Sequence, residues 1–246
     1  MRNMMLVAAL AATTFGTAAI AAEDTDKKGF YIAGGVGIAT LQATDIGYYD
    51  AGGVFGGTGP QDRVDGKLRF KSATEFGGTL GYDFGSIRFD VQINYARNTA
   101  KSLEVLALNG GPVTLTPGDI SDICDYLEAT PCSGTGNTIA FDGGKIRRAS
   151  GLANLWFDFP IGSGITPYVG GGAGVAGFEV DGEGKASFAW QLGAGAAINV
   201  ASGVAITVDY RFRNASGARI EYDAVSGFDI GRQKSQSFGA GLRFTF

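Results

Sequence analysis

From Ile87 to Tyr95 the chain sets Ile87, Phe89, Val91, Ile93 and Tyr95 strictly against Arg88, Asp90, Gln92 and Asn94. A period of two is the mark of a β-strand, whose successive side chains point to opposite faces. The pattern returns at Val204–Arg213, where Val204, Ile206, Val208, Tyr210 and Phe212 oppose Ala205, Thr207, Asp209, Arg211 and Arg213. It returns at the end, with Phe238, Ala240, Leu242, Phe244 and Phe246 against Ser237, Gly239, Gly241, Arg243 and Thr245. Weaker copies cover Gly29–Thr40, Thr74–Phe84, Ser150–Phe159, Ile165–Phe178 and Ser187–Val200, giving eight strands. A helical alternative is disfavoured by 41 glycines, each costing a helix about 1 kcal/mol.

The connections alternate in length. Gly85 with Ser86, Pro160–Gly164 and Ala201–Gly203 are tight, whereas Leu41–Ala73, Asn98–Arg147 and Asn214–Gln233 are long, and Asp181–Lys185 is intermediate. Pro60, Pro112, Pro117, Pro131 and Pro160 fall in connections and Pro167 at a strand start, where a residue without an N–H is tolerated. Short turns on one side and long loops on the other are the habit of barrels that span an outer membrane, with the turns and both chain ends in the periplasm.

The N-terminus supplies a route there. Arg2, the apolar stretch Met4–Ala12 and the small-x-small site Ala19, Ile20, Ala21 read as a secretory signal over 1–21, with the mature protein starting at Ala22. Thr13 and Thr14 break the apolar run well short of the roughly 20 residues that a membrane helix needs. No later segment is long and apolar enough either, so a membrane would have to hold this chain as a closed barrel, in which every backbone group is paired. Residues 22–28 then form a periplasmic lead-in and 29–246 the barrel.

Volume decides which face meets lipid. An eight-stranded barrel has an interior only wide enough for side chains to fill. Phe84, Phe89, Phe157, Phe159, Trp190, Tyr210, Phe212, Phe238, Phe244 and Phe246 are too bulky for it, so the rings are expected outside and the small polar set inside. Tyr82, Phe84, Phe89, Phe157, Phe159 and Phe244 fall near the periplasmic turns, as an aromatic girdle at the headgroup level would. Inward parity gathers Glu75, Asp83, Asp90, Asp158 and Asp209 with Arg88, Arg211 and Arg243, and because buried charges must pair, these should form a network that blocks much of the bore.

The segments "ANLWFDFPIGSGITPYVGGGAGV" from Ala153, "WQLGAGAAINV" from Trp190, "VDYRF" from Val208 and the terminal "FGAGLRFTF" resemble the small outer-membrane β-barrel family that includes opacity-type surface proteins and the barrel portion of OmpA-type proteins. The likeness covers nearly the whole mature chain. It implies an all-β, eight-stranded antiparallel up-and-down transmembrane barrel with long extracellular loops, in the outer membrane of a Gram-negative-type bacterium. It also implies that Phe246 is the terminal aromatic read by the outer-membrane assembly machinery, and that membrane lipid and lipopolysaccharide surround the wall. OmpA-type proteins usually continue into a peptidoglycan-binding domain, which this sequence does not show after Phe246.

Chemistry finds little purchase. Without any histidine, a Ser-His-Asp triad and a His-containing metal site are excluded. Gly172, Gly174 and Gly177 satisfy G-x-G-x-x-G, but "FEVDGEGK" follows where a pyrophosphate would need a helix N-terminus, so glycine is better read as making room in a crowded barrel. The acidic loop positions Asp45, Asp50, Asp62, Asp65, Asp119, Asp122, Asp125 and Glu128 lack the calcium-loop spacing, and a net charge of −4 disfavours nucleic acid. No catalytic, cofactor or metal residues are therefore assigned. Cys124 and Cys132, close together in an exported chain, are expected to form a disulfide. Just before them Asp119 is a candidate N-cap, and Ile120, Ile123, Cys124 and Leu127 recur at helical spacing, predicting a short helix that covers the barrel mouth or meets a host or bacterial partner. The sequence thus points to a non-enzymatic surface protein whose barrel anchors working loops, in envelope integrity, adhesion or antigenic display. A narrow diffusion channel for small polar solutes, with Arg88, Arg211 and Arg243 opposing the lumen acids, is the alternative.

Overall fold

The computed structural model describes residues 27–50, 62–162, 164–180, 183–221 and 226–246. The signal read at 1–21, most of the segment 22–28, and Pro60 lie outside them. Eight strands form the wall: β1 Gly29–Leu41, β2 Ala73–Asp83, β3 Ile87–Leu108, β4 Lys145–Asp158, β5 Ile165–Val180, β6 Glu183–Ala201, β7 Val204–Ala215 and β8 Gln233–Thr245. Each pairs antiparallel with the next. The ring closes where β1 meets β8, in register from Tyr31 opposite Thr245 to Leu41 opposite Ser235. Closure leaves no unpaired edge, which is the condition for a sheet in hydrocarbon. The turns at one end are tight, and Gly85 (φ 107°) and Gly203 (φ 73°) take backbone conformations that a side chain would resist.

Burial is inverted relative to a protein in water. Ile93 is 64% exposed on the outer face of β3, while its neighbours Gln92 and Asn94 are each 4% exposed on the inner one. The same outer belt holds Phe30, Ile32, Val36, Ile38, Phe76, Leu80, Val91, Leu155, Val169, Val175, Phe188, Leu192, Ile198, Ile206, Tyr210, Phe238 and Leu242. On β3 the belt ends at Tyr95, and the next outward side chain is Arg97. Ile87 to Tyr95 is a run of the length that a tilted strand needs to cross the hydrocarbon.

Two expectations need correcting here. The long connections are largely sheet rather than loop. β3 continues to Leu108 and pairs beyond the belt with Asp62–Phe70 on one side and Thr138–Phe141 on the other. Thr44–Asp50, Ser226–Ile230 and Ala218–Glu221 extend that sheet in one direction, and Cys132–Thr135 in the other. The helix, α1 Pro117–Tyr126, is capped by Thr116 rather than Asp119. Thr116 Oγ1 accepts from the Asp119 N–H, and the Asp119 carboxylate accepts from the Thr116 N–H, a reciprocal capping box with Pro117 in the first turn.

Candidate functional site

The lumen is built in three layers. At the end that carries the tight turns Arg88 grips Asp158 with a two-pronged pair, Nε to Oδ2 at 2.6 Å and Nη2 to Oδ1 at 2.8 Å. The guanidinium also lies over the rings of Tyr168 and Tyr31, at 4.8 and 5.8 Å from their centroids. One step inward, Asp90 accepts from Tyr31 Oη (2.6 Å), Asn154 Nδ2 (2.7 Å) and Trp156 Nε1 (2.9 Å). Charged and aromatic groups thereby fill this floor, each with a partner that offsets its desolvation.

The middle layer is polar and looser. Arg213 donates to Glu75 (2.6 Å) and to Gln191 Oε1 (3.0 Å), while Gln191 donates to Gln92 and Asn154. Arg148 stands 4.0 Å from the Glu75 carboxylate. Asp209 is taken by Arg211 of its own strand, and Tyr168 Oη reaches it at 3.3 Å. Along the opposite wall the inward residues are Ala33, Gly35, Gly37, Ser237, Gly239 and Gly241, which leave a cavity of about 70 Å³, room for a few waters. Arg211 Nη1 borders it without a hydrogen bond among the described residues, and Arg243 Nε and Nη1 are in the same position at the mouth beside the tight turns. Water is their natural partner.

The upper layer is apolar. Leu41, Ala100, Ile146 and Phe178 from the wall pack with Phe70, Ile139, Phe141, Ile220 and Ile230 of the outer sheet. Ile123 and Cys124 of α1 and Leu127 at its C-cap rest on this core, and the Cys124–Cys132 disulfide, with Cα atoms 5.8 Å apart, ties the helix to the sheet. Around the core, Asp229 receives a fork from Arg219 and a third bond from Arg63, linking three strands. The Arg219 bonds, with Arg63 adding to them, hold the Asp229 carboxyl below the ordinary carboxylate range. Asp119 is lowered by the Thr116 N–H and then by its hydroxyl.

All eight charges assigned to the lumen line it, and Asp90 is joined to the Glu75–Arg213 pair by a hydrogen-bond chain through Asn154 and Gln191. Arg88 with Asp158, Asp209 with Arg211 and Glu75 with Arg213 are distinct pairs, Asp90 is served by neutral donors, and Arg243 comes only to 4.0 Å from Asp83. The lumen also holds Arg148, Arg213, Tyr31, Trp156, Tyr168 and Gln191, in addition to the eight charges expected there. Arg213 and Gln191 carry inward parity in the sequence, Arg148 precedes the strand as read from Ser150, and the rings stand in runs such as Phe30-Tyr31-Ile32 and Leu155-Trp156-Phe157, where apolar neighbours erase the alternation. Tyr31, Trp156 and Tyr168, which lie outside the set of rings expected to face lipid, are buried in the lumen, so its interior is not filled by small polar side chains alone. They fit because glycine faces them: a Cβ at Gly81 would stand 2.6 Å from the Tyr31 ring and one at Gly195 2.7 Å from Tyr168. Gly172 is likewise pressed against Asn154, within a strand and far from any helix N-terminus. On the outer face Phe84, Phe89, Phe157, Phe159, Phe244 and Phe246 are exposed around the end that carries the tight turns, and Tyr82 stacks edge-on against Phe30 at 4.9 Å.

The family model described as outer membrane protein beta-barrel domain matches residues 7–246. The chain belongs to this family. It is a protein of the Gram-negative outer membrane, with the belt in hydrocarbon and the sheet and helix at the cell surface. Among solved structures, this outer-membrane barrel is similar to Neisserial surface protein A (15% identity over 88% of this chain and 97% of that one, TM-score 0.49). It is also similar to OprG from Pseudomonas aeruginosa (15%, 90% and 98%, TM-score 0.49) and to the outer-membrane protease OmpT from Escherichia coli (10%, 90% and 98%, TM-score 0.42). No curated protein sequence matches it.

Proposed function

We propose that the barrel is a closed anchor and that the extracellular sheet with its disulfide-tied helix is the working surface, in adhesion, envelope integrity or antigenic display. The observation that carries this reading is the closure of the lumen at both ends by unlike materials, a charged aromatic floor and an apolar cap. The cap has its own core, which a loop serving only to connect strands does not need. Deleting residues 101–141 and joining the wall strands tests it. Loss of the surface phenotype with the barrel still folded supports the anchor, and retention of every phenotype overturns it.

The glycine-lined cavity favours a second reading, a narrow channel for small polar solutes that opens when the floor rearranges. Planar-bilayer recording of the refolded chain separates the two. Silence supports the anchor, whereas stable conductance whose selectivity changes in Arg88→Gln supports the channel.

A further inference from the structure

On the outer face of β4 the lipid-facing side chains shrink to Ala149, Gly151 and Ala153. Tyr95, Ile93 and Val91 of β3 stand opposite them on one side, and Gly177, Val175 and Ala173 of β5 on the other. The small residues of β4, with Gly177 and Ala173 beside them, make a shallow furrow over β4 and β5 that is walled by Tyr95, Ile93 and Val91 on the β3 side and interrupted by Val175 on the other, and a Cβ built at Gly151 meets nothing within 4 Å. At its extracellular end the next outward residues are Arg97 and Arg147, directly opposite one another, with Lys145 opposite Thr99 and Lys101 one outward step beyond. All four are exposed.

Like charges directly opposed across a ladder are destabilising. Arg147 is relieved by Glu179, but among the described residues Arg97, Lys101 and Lys145 have no carboxylate within salt-bridge distance. The first outward positions above the belt on β1, β2 and β8 are the neutral Thr40, Thr74 and Gln236, with Lys234 of β8 a lone cation one outward step higher, so at this level the cations cluster on the β3–β4 seam. They stand where apolar belt gives way to headgroups, in the leaflet on the side of the cap. A furrow of small side chains that ends in a cluster of cations, of which only Arg147 has a carboxylate partner, matches a lipid whose headgroup carries phosphate.

We propose that the β3–β4 seam binds one phosphorylated lipid of the outer leaflet, which in this membrane is lipopolysaccharide. An acyl chain lies along Ala149, Gly151 and Ala153, and a phosphate sits among Arg97, Lys145 and Arg147, paired with charge-assisted hydrogen bonds. The site is independent of whether the lumen conducts.

The full chain, refolded in a non-ionic detergent, is titrated with the bisphosphorylated lipid anchor of lipopolysaccharide, with its dephosphorylated form, and with inorganic phosphate, and bound lipid is counted by native mass spectrometry. One molecule of the phosphorylated lipid should bind, several-fold tighter than the dephosphorylated form, and inorganic phosphate should not displace it. Arg97→Gln with Lys145→Gln should weaken binding about twenty-five-fold, taking about fivefold for each cation near a membrane surface. Gly151→Leu fills the furrow and should also weaken it, while Lys234→Gln on another part of the rim should change nothing. Heat-modified gel mobility shows that each variant is folded. Equal binding of the two lipid forms, displacement by inorganic phosphate, or a double variant that binds like the parent overturns the proposal.

Discussion

At the periplasmic end, Asp90, Arg88 and Asp158 hold Tyr31, Trp156 and Tyr168 in a polar, aromatic floor. At the extracellular end Leu41, Ile139, Ile146, Phe178 and their neighbours close the same tube with hydrocarbon. The difference follows from the surroundings. Within the membrane the hydrophobic effect gives side chains no preference for the lumen, so the inside is organised by pairing charges and donors. The cap stands in water, where burying apolar surface is itself the driving force. The floor therefore gains its definition from partnership and the cap from burial, and removing one group should hurt them in different ways.

The largest effect is expected from orphaning a charge in the floor. Arg88→Ala leaves Asp158 buried and unpaired, and should lower stability by about 3–5 kcal/mol, read from the urea midpoint of the refolded barrel. Replacing both, as Arg88→Met with Asp158→Leu, should recover most of that loss; if it does not, the floor depends on more than pairing. In the cap, Ile139→Ala should cost about 2–4 kcal/mol through a cavity at a fully buried site, visible as faster protease cleavage at the surface with the barrel still resistant. A cap that stayed resistant would mean that its core is dispensable.

Thr116→Ala removes one arm of the capping box and should cost α1 about 1 kcal/mol, measured as increased hydrogen exchange over 117–126. The smallest effect is that of acid on the outer sheet. Asp229 is depressed by Arg219, so its contribution is complete above the unfolded aspartate value near pH 4 and is lost as pH falls through the lower folded value. A carboxyl titration followed by NMR should find Asp229 below an ordinary aspartate, and Arg219→Gln should move it back up.

Much of this was legible in the chain because an eight-stranded wall in lipid writes itself as alternation. Ile87–Tyr95 and Val204–Arg213 gave strand, face and parity at once. What escaped lay where two environments overlap. In Leu155-Trp156-Phe157 the middle ring turns inward to reach Asp90 through its N–H, a choice that hydropathy cannot register but a polar handle permits. Above the membrane the alternation of Val64, Leu68 and Phe70 against Arg63, Asp65, Lys67 and Arg69 was present, yet its strand is short, bulged and flanked by polar sequence, so it read as loop. The cap's core draws single residues from β1, β3, β4 and β5 and from distant surface strands, a convergence that no local window contains.

β3 is one strand of 22 residues, about 70 Å of continuous backbone, with Arg88 and Asp90 near one end and the surface sheet hung on the other. That makes it a lever with its fulcrum in the membrane. The surface sheet and the Arg88–Asp158 pair are thus joined by the unbroken backbone of a single strand.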